Sequence, residues 1–366
     1  MRKKAFYDNI SHVINTYIKK INSALRDFLT DTNRRYSLRL ISDALLLASK
    51  DFILRKGKRV RPLLFVLSYK GYTGRKSYSD KRLFTSAAAI ELLHDFMLIH
   101  DDVIDNSSLR RGKPTLHKIF DRSIRLPDKA LIGESLAIVA GDILFALAIE
   151  SLLSINESMN RKENALRNLV QTAAYTGAGE FIDVVFGHRT IDQLSEQDIF
   201  LAYTLKTAKY TFECPLLMGA ILAGTPDQEL KKLSQLGLAA GQAFQIYDDF
   251  LNLFASKKTI GKPILTDLTE SKKTLLVFKA YKNSGRNEKK RFRKIFEKKT
   301  KTLSDLDALR RIVIKSGSYD YCLKKMSSLQ EKATRLCNSL KMKKAYKKAL
   351  EYVIFKLSPS SMPFNP

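Results

Sequence analysis

From Ala87 to Ile104 apolar residues recur at spacings of three and four, the period of a helix with one buried face. The run closes on His94-Asp-Phe-Met-Leu-Ile-His-Asp101-Asp102-Val-Ile-Asp105. Asp101 and Asp105 stand at i and i+4 and share a face about one turn apart; His94 falls on that face two turns earlier. Like charges at this spacing repel on a bare helix. A chain that keeps them inside an apolar run needs something cationic there. Arg110-Arg111-Gly112-Lys113 follows almost at once. Carboxylates beside fixed cations suit a magnesium-bridged polyphosphate, with metal on the acids and residual charge on the arginines.

The same helical period runs through Ile10 to Leu29, Ala130 to Leu153, Ala165 to Val185, Leu233 to Leu253 and Leu309 to Leu340. Alternating valine-rich runs are nearly absent, so a sheet has little to be built from. No repeat and no long linker divides the chain. The expectation is one all-α domain over residues 1–366, its core at about 20–355 and its ends peripheral. The most apolar run, Leu131 to Leu153, is interrupted by Glu134, Asp142 and Glu150 and reads as a buried core helix rather than a membrane span. Cys214, Cys322 and Cys337 fit no metal motif and read as reduced and buried. No apolar core follows Met1-Arg-Lys-Lys to form a targeting signal, and the expected compartment is cytoplasmic.

A net charge of +27 is the outlier of the composition. Most of it is diffuse, with its densest cluster from Lys282 to Lys301. The plainest reading is a solvated face; weak association with an anionic membrane surface comes second. Nucleic acid is not expected, since no zinc motif, RNA-recognition signature or stacking stripe accompanies the charge.

A second acidic site, Gln245-Ile-Tyr-Asp248-Asp249-Phe-Leu-Asn252, repeats the i, i+4 geometry with an amide in the last place. One Asp-Asp-x-x-Asp is weak evidence, because acidic helix faces are common. Two inside apolar surroundings are much stronger, and on facing helices they would share magnesium. Gly57-Lys58-Arg59-Val-Arg61-Pro62 offers a turn and then cations at i and i+3. Lys206-Thr207, Lys262, Lys272 and the acid of Gly179-Glu180-Phe-Ile-Asp183 add further charge. Each alone reads as an ordinary surface residue; together they describe a cavity for two diphosphates.

In this order the motifs resemble those of the all-trans isoprenyl diphosphate synthases, the polyprenyl synthetase family, and the likeness covers nearly the whole chain. Gly141-Asp142, Arg110 to Thr115 and Gly261-Lys-Pro263 with Asp267 belong to the same ordered set, which softens after Asp305. The resemblance implies an antiparallel helical bundle around a deep central cavity, the isoprenoid synthase type I fold, usually as a homodimer. It implies that Asp101, Asp105, Asp183 and Asp248 bind magnesium, three ions per site, and hold an allylic diphosphate. Asp102 and Asp249 complete the two acidic catalytic motifs. Arg110, Lys206 and Lys262 resemble direct contacts to that diphosphate. Lys58, Arg61, His94 and Arg111 resemble the isopentenyl diphosphate site, and Thr207 and Gln245 the lining of the reacting carbons. The implied primers are dimethylallyl, geranyl and farnesyl diphosphate.

Four positions depart from the pattern. Asn252 replaces an aspartate, Glu180 a usual glutamine, and Leu265 and Ser271 stand where glycines are common. Asn252 keeps an oxygen ligand, so activity is expected to survive. Met97 and Phe96 lie about 6 Å and 7.5 Å before Asp101 along a helix, where a growing chain would pass. A bulky residue at the fifth upstream position resembles archaeal C20 synthases, favouring geranylgeranyl diphosphate over farnesyl diphosphate or a longer product. A class I terpene cyclase would not need Lys58, Arg61 and His94. A non-catalytic partner subunit would not keep the aspartates.

Overall fold

The computed structural model describes residues 2–124, 132–255, 266–269 and 271–357. Contacts divide the chain into two units, one of Met1–Asn168, Pro215–Thr225 and Met342–Ala349, the other of Leu169–Cys214, Pro226–Lys341 and Leu350–Pro366. The architecture is all-α, as the periodicity requires.

In the first unit α1 (Arg2–Tyr36) buries Ile14, Ile21, Leu25 and Phe28, spacings that form one helical stripe. It ends at Ser37, whose φ of 53° is left-handed. After α2 (Leu38–Ile41), α3 (Asp43–Leu54) is capped by the Ser42 hydroxyl, which accepts the Leu45 N–H at 3.1 Å. α4 (Val60–Tyr72) is buried without a break from Pro62 to Gly71. α5 (Asp80–Ile104) starts on the Ser79 cap and carries the first acidic motif at its far end. A two-residue antiparallel pair follows, β1 (Leu109–Arg110) with β2 (Lys113–Pro114), then α6 (Leu116–Ser123) and α7 (Gly133–Leu152). The Ser86 hydroxyl donates to the Leu152 carbonyl at 2.9 Å, and the Ser151 hydroxyl to that of Thr85 at 2.6 Å, tying α5 to α7.

Among the described residues two helices are long and apolar enough to cross a membrane, α5 and α7, with 72% and 44% of their apolar windows buried. α5 is thus a core helix. α7, expected as a buried core helix, is buried along one face and exposes Ile138 and Val139 on the other. Residues 130 and 131, the start of that expected helix, lie outside the described residues.

α8 (Met159–His188) passes into the second unit at Leu169. There α9 (Glu196–Tyr203) runs into a π-helix (Thr204–Glu213) and on into α10 (Cys214–Ala223), which rejoins the first unit at Pro215. α11 (Asp227–Phe254) carries the second acidic motif. Its inner face buries Leu236, Ala243, Ile246 and Phe250, and the Phe250 ring meets Tyr319 edge-on at 5.0 Å. Then come α12 (Thr266–Thr269), α13 (Leu275–Asn283), α14 (Arg286–Glu297), α15 (Leu303–Lys315), α16 (Ser318–Ser339) and α17 (Lys344–Leu357). The run expected as one helix from Leu309 to Leu340 is two, broken at Gly317, whose φ of 71° no right-handed helix accommodates. All three cysteines are free and buried, as expected.

Candidate active site

The first unit gathers one acidic and one basic cluster. Asp101 and Asp105 bring carboxylate oxygens within 4.8 Å of each other at the end of α5. Arg110, presented by β1, donates from Nη2 to Asp101 at 2.7 Å and from Nε to Asp102 at 2.7 Å. Asp102 is 1% exposed and turned inward, so it holds Arg110 rather than facing solvent. Burial works against the Arg110 charge, but the two carboxylates outweigh it and raise its pKa. The arginine loop is itself anchored. Arg55 donates to the Arg110 carbonyl at 3.4 Å and the Pro114 carbonyl at 2.8 Å, and Lys113 pairs with Asp51 at 2.8 Å.

Around His94 lie Arg61 and Arg111. Burial first, then the charges of Arg61, Arg111, Arg110 and Arg59, hold this imidazole well below its usual range, so it is neutral near pH 7. A Cβ on Gly57 would stand 3.4 Å from the Arg111 guanidinium, which therefore lies over the turn bearing exposed Lys58. Arg59, which the motif reading passed over, is the scaffold of this corner. At φ 48° it opens α4, pairs with buried Glu91 at 2.5 Å, and donates to Asn22 and to the Ile53 and Arg55 carbonyls, each at 2.9 Å. Asp95, on the next turn of α5, is fully buried, and neither of its carboxylate oxygens has a hydrogen-bond partner. Burial and then Glu91 push its pKa well up, against a partial pull from Arg111, Arg59 and Arg61.

Phe96 sits where α5 meets α7, 4.6 Å from the His100 ring and 5.3 Å from Phe145. A side chain at Gly141 would strike His100 at 2.5 Å, so this glycine is what lets the helices approach. Met97 is half-buried.

In the second unit Lys206 projects from the π-helix and bridges Asp183 at 2.7 Å and Glu180 at 2.9 Å. Glu180, the departure from the usual glutamine, thus shares the lysine with Asp183. A Cβ on Gly179 would lie 2.7 Å from the Lys206 backbone nitrogen, so α8 reaches the π-helix only because that position is bare. The π-helix widens the turn by one residue, a device found at functional sites.

The second acidic motif is held by a chain of polar groups. The Thr207 hydroxyl donates to Gln245 Oε1 at 2.7 Å, and Gln245 Nε2 donates to Asp249 at 3.0 Å. Tyr203 donates to the other Asp249 oxygen and accepts the Leu275 N–H at 2.7 Å. Burial and the Asp249 charge push the Tyr203 phenol well above its usual range, which keeps it a donor. Asp248 stays half-buried beside Asn252, whose amide donates to it at 3.2 Å. Lys273 donates to the Gly187 carbonyl at 2.8 Å. Burial and then Lys301, opposed by Asp183, lower its pKa to about 8. Its neighbour Lys272 is half-buried ahead of α13. Ser271, where a glycine is common, takes a left-handed φ of 54° in spite of its side chain.

The structure therefore brings Arg61, His94 and Arg111 together, Asp101 with Asp105 and Arg110, Lys206 with Asp183, and Thr207 with Gln245 and Asp249. Lys262 and Leu265 lie outside the described residues, as does the Asp267 side chain. Glu91, Asp95 and Tyr203 were missed because each is a buried position that periodicity marks only as helix, Arg59 because it is a buried helix cap, and Lys273 because it lies half-buried in the short segment before α13, outside any motif. The outward acids are hard oxygen donors of the kind magnesium takes in small numbers, which leaves room for phosphate oxygens.

A sequence model of the family described as polyprenyl synthetase matches residues 43–313. A geranylgeranyl diphosphate synthase of Saccharolobus solfataricus is 32% identical over 327 residues, 88% of this chain and 89% of that one. Among solved structures, a geranylgeranyl pyrophosphate synthetase from Pyrococcus horikoshii Ot3 superposes with a TM-score of 0.80 at 31% identity, covering 96% of this chain and 99% of the other. One from Corynebacterium glutamicum, complexed with isoprenyl diphosphate and magnesium, gives 0.86 at 23% identity over 95% and 99% of the two chains, a likeness of fold.

Proposed function

The chain belongs to the polyprenyl synthetase family, and from that premise we propose that it condenses isopentenyl diphosphate head-to-tail with allylic diphosphates to make geranylgeranyl diphosphate. The observation that carries this reading is the pairing of each outward acid set with its own cation, Arg110 on Asp101 and Lys206 on Asp183. Such clusters suit a bound polyanion that takes the cation while metal takes the acid.

In this reading Asp101, Asp105, Asp183 and Asp248 hold magnesium, three ions per site, with Asp102 and Asp249 fixing the outward members. Bound magnesium supplies Lewis-acid stabilisation of the departing diphosphate. Arg110 and Lys206 exchange their carboxylates for the allylic diphosphate, Lys262 adds a third cation, and their charge stabilises the diphosphate as the allylic C–O bond breaks. Lys58, Arg61, Arg111 and neutral His94, a hydrogen-bond donor, hold isopentenyl diphosphate so that its double bond faces the allylic carbon. Lys272 adds charge at the allylic end. The new C–C bond takes the alkene electron pair, and the proton then lost goes to the released diphosphate. Thr207 and Gln245, already locked to each other, keep a fixed polar edge beside the reacting carbons. Phe96 and Met97 limit product length. The primers are dimethylallyl, geranyl and farnesyl diphosphate.

The enzyme works as a homodimer in the cytoplasm. The exposed Ile138 and Val139 of α7 support the dimer, and the free buried cysteines support a reducing compartment. Incubation with Mg²⁺, labelled isopentenyl diphosphate and each primer, followed by chain-length analysis, tests the whole. A C20 product is expected; absence of condensation with every primer overturns the activity.

A further inference from the structure

α14 carries the densest cluster of basic residues in the sequence. From Lys282 to Lys301 there are ten lysines and arginines against two glutamates. The helix is firmly docked, for Phe292 and Ile295 are buried, and Phe292 stacks on Phe296 at 4.6 Å and meets Tyr281 at 5.2 Å. The 3.6-residue period then turns Arg286, Lys290, Arg291, Lys294 and Lys298 outward, with Glu297 as the one acid among them.

Some exposed cations on other helices carry an acid one turn away: Arg39 with Asp43, Arg167 with Glu163, Arg335 with Glu331. Here the pattern is inverted. Arg286, Lys290 and Lys294 follow one another at i, i+4, an arrangement that costs about 0.2–0.5 kcal/mol per like-charged pair, while Lys298, just past the helix end, pairs with Asp305 at 2.5 Å. Arg286 also sits in the first turn, where the helix dipole disfavours a cation. Glu288 is taken by Lys315 at 2.6 Å. Among the described residues no ion pair joins Lys290, Arg291 or Lys294 to an acid. A merely soluble surface gains nothing from this repulsion, whereas an anionic partner relieves it.

We propose that the outer face of α14 docks the enzyme reversibly on an anionic lipid bilayer. The aromatic residues of α14 point inward, so the face offers neither a stacking platform for bases nor an apolar wedge for insertion. What remains is a row of cations about 12 Å long from Arg286 to Lys294, the form that attraction to acidic headgroups takes. The purpose assigned to docking rests on the proposed reaction, whose C20 product is an amphiphile that partitions into a bilayer.

The test is co-sedimentation of the full chain with vesicles of phosphatidylcholine alone or mixed with phosphatidylglycerol, with soluble duplex DNA as competitor. The wild type should bind only the anionic vesicles and leave them at high salt. The triple variant K290E/R291E/K294E, with an unchanged circular dichroism spectrum, should bind them at least tenfold more weakly. Equal binding by the variant, no preference for anionic vesicles, or displacement by DNA at lower concentration than by vesicle lipid overturns the proposal. Turnover of soluble diphosphates, read in the same preparations, reports on the reaction alone, so a failure of condensation leaves the vesicle result standing.

Discussion

The two acidic motifs share a sequence pattern and differ in how the structure uses it. In each, the first aspartate is half-exposed and its neighbour is buried. On α5 the buried Asp102 faces a charge, Arg110, which also reaches Asp101. On α11 the buried Asp249 is held by neutral donors, the Tyr203 phenol and the Gln245 amide. The first motif is thus fastened by an ion pair that a bound polyanion would pull apart. The second is fastened by hydrogen bonds that a polyanion leaves intact. Similar letters encode one motif fastened by charge and one fastened by neutral hydrogen bonds.

The sharpest break of this comparison is at the outward acid. Asp101→Ala should lower turnover at least a thousandfold while the circular dichroism spectrum stays native, since it removes an oxygen facing the proposed metal. Near-normal steady-state rates would end the ligand assignment. Next come the buried partners. Asp102→Asn leaves Arg110 buried without its inner countercharge and should cost about 3 kcal/mol in urea denaturation. Asp249→Asn keeps an acceptor for Tyr203 and should cost about 1 kcal/mol. Equal losses would mean that the two motifs are fastened alike.

A third test stays on α5. Phe96→Ala should shift the product distribution past C20; an unchanged distribution would assign Phe96 to helix packing alone. The smallest effect belongs to Asp95, a buried acid with neither fastening. The fold keeps its proton above the pH at which the unfolded chain loses it. Over that window the native state binds more protons, so stability falls as pH rises from about 4. Asp95→Asn removes that fall, and its thermal midpoint should exceed that of the wild type by more at pH 8 than at pH 5. A pH-independent difference would place the charge elsewhere.

The helices and both motifs were legible because an apolar stripe with acids at i, i+4 is a local pattern. The roles of Asp102 and Asp249 were not, since the same two letters serve an outward ligand and an inward strut, and only the neighbouring helix decides which. Arg59 stands between the two cations, Lys58 and Arg61, to which the motif gave a role, and received none itself. Its partner Glu91 is remote in sequence, and nothing nearby marks it as buried. The break at Gly317 was hidden by apolar spacing that continues across it. The π-helix was hidden too, because one added residue in ten barely disturbs a pattern read over longer windows.

That added residue has a consequence for how this chain can vary. Each residue turns a helix by about 100°, so deleting any one position between Thr204 and Glu213 would restore ordinary pitch and swing Lys206 and Thr207 away from one flank or the other. The shorter segment would be the better helix, and it would face Gly179 and Gln245 with the wrong side chains. In these ten residues a deletion that improves the local backbone would undo the pairings of Lys206 and Thr207, on which the proposed reaction depends, so length here would be constrained more tightly than identity.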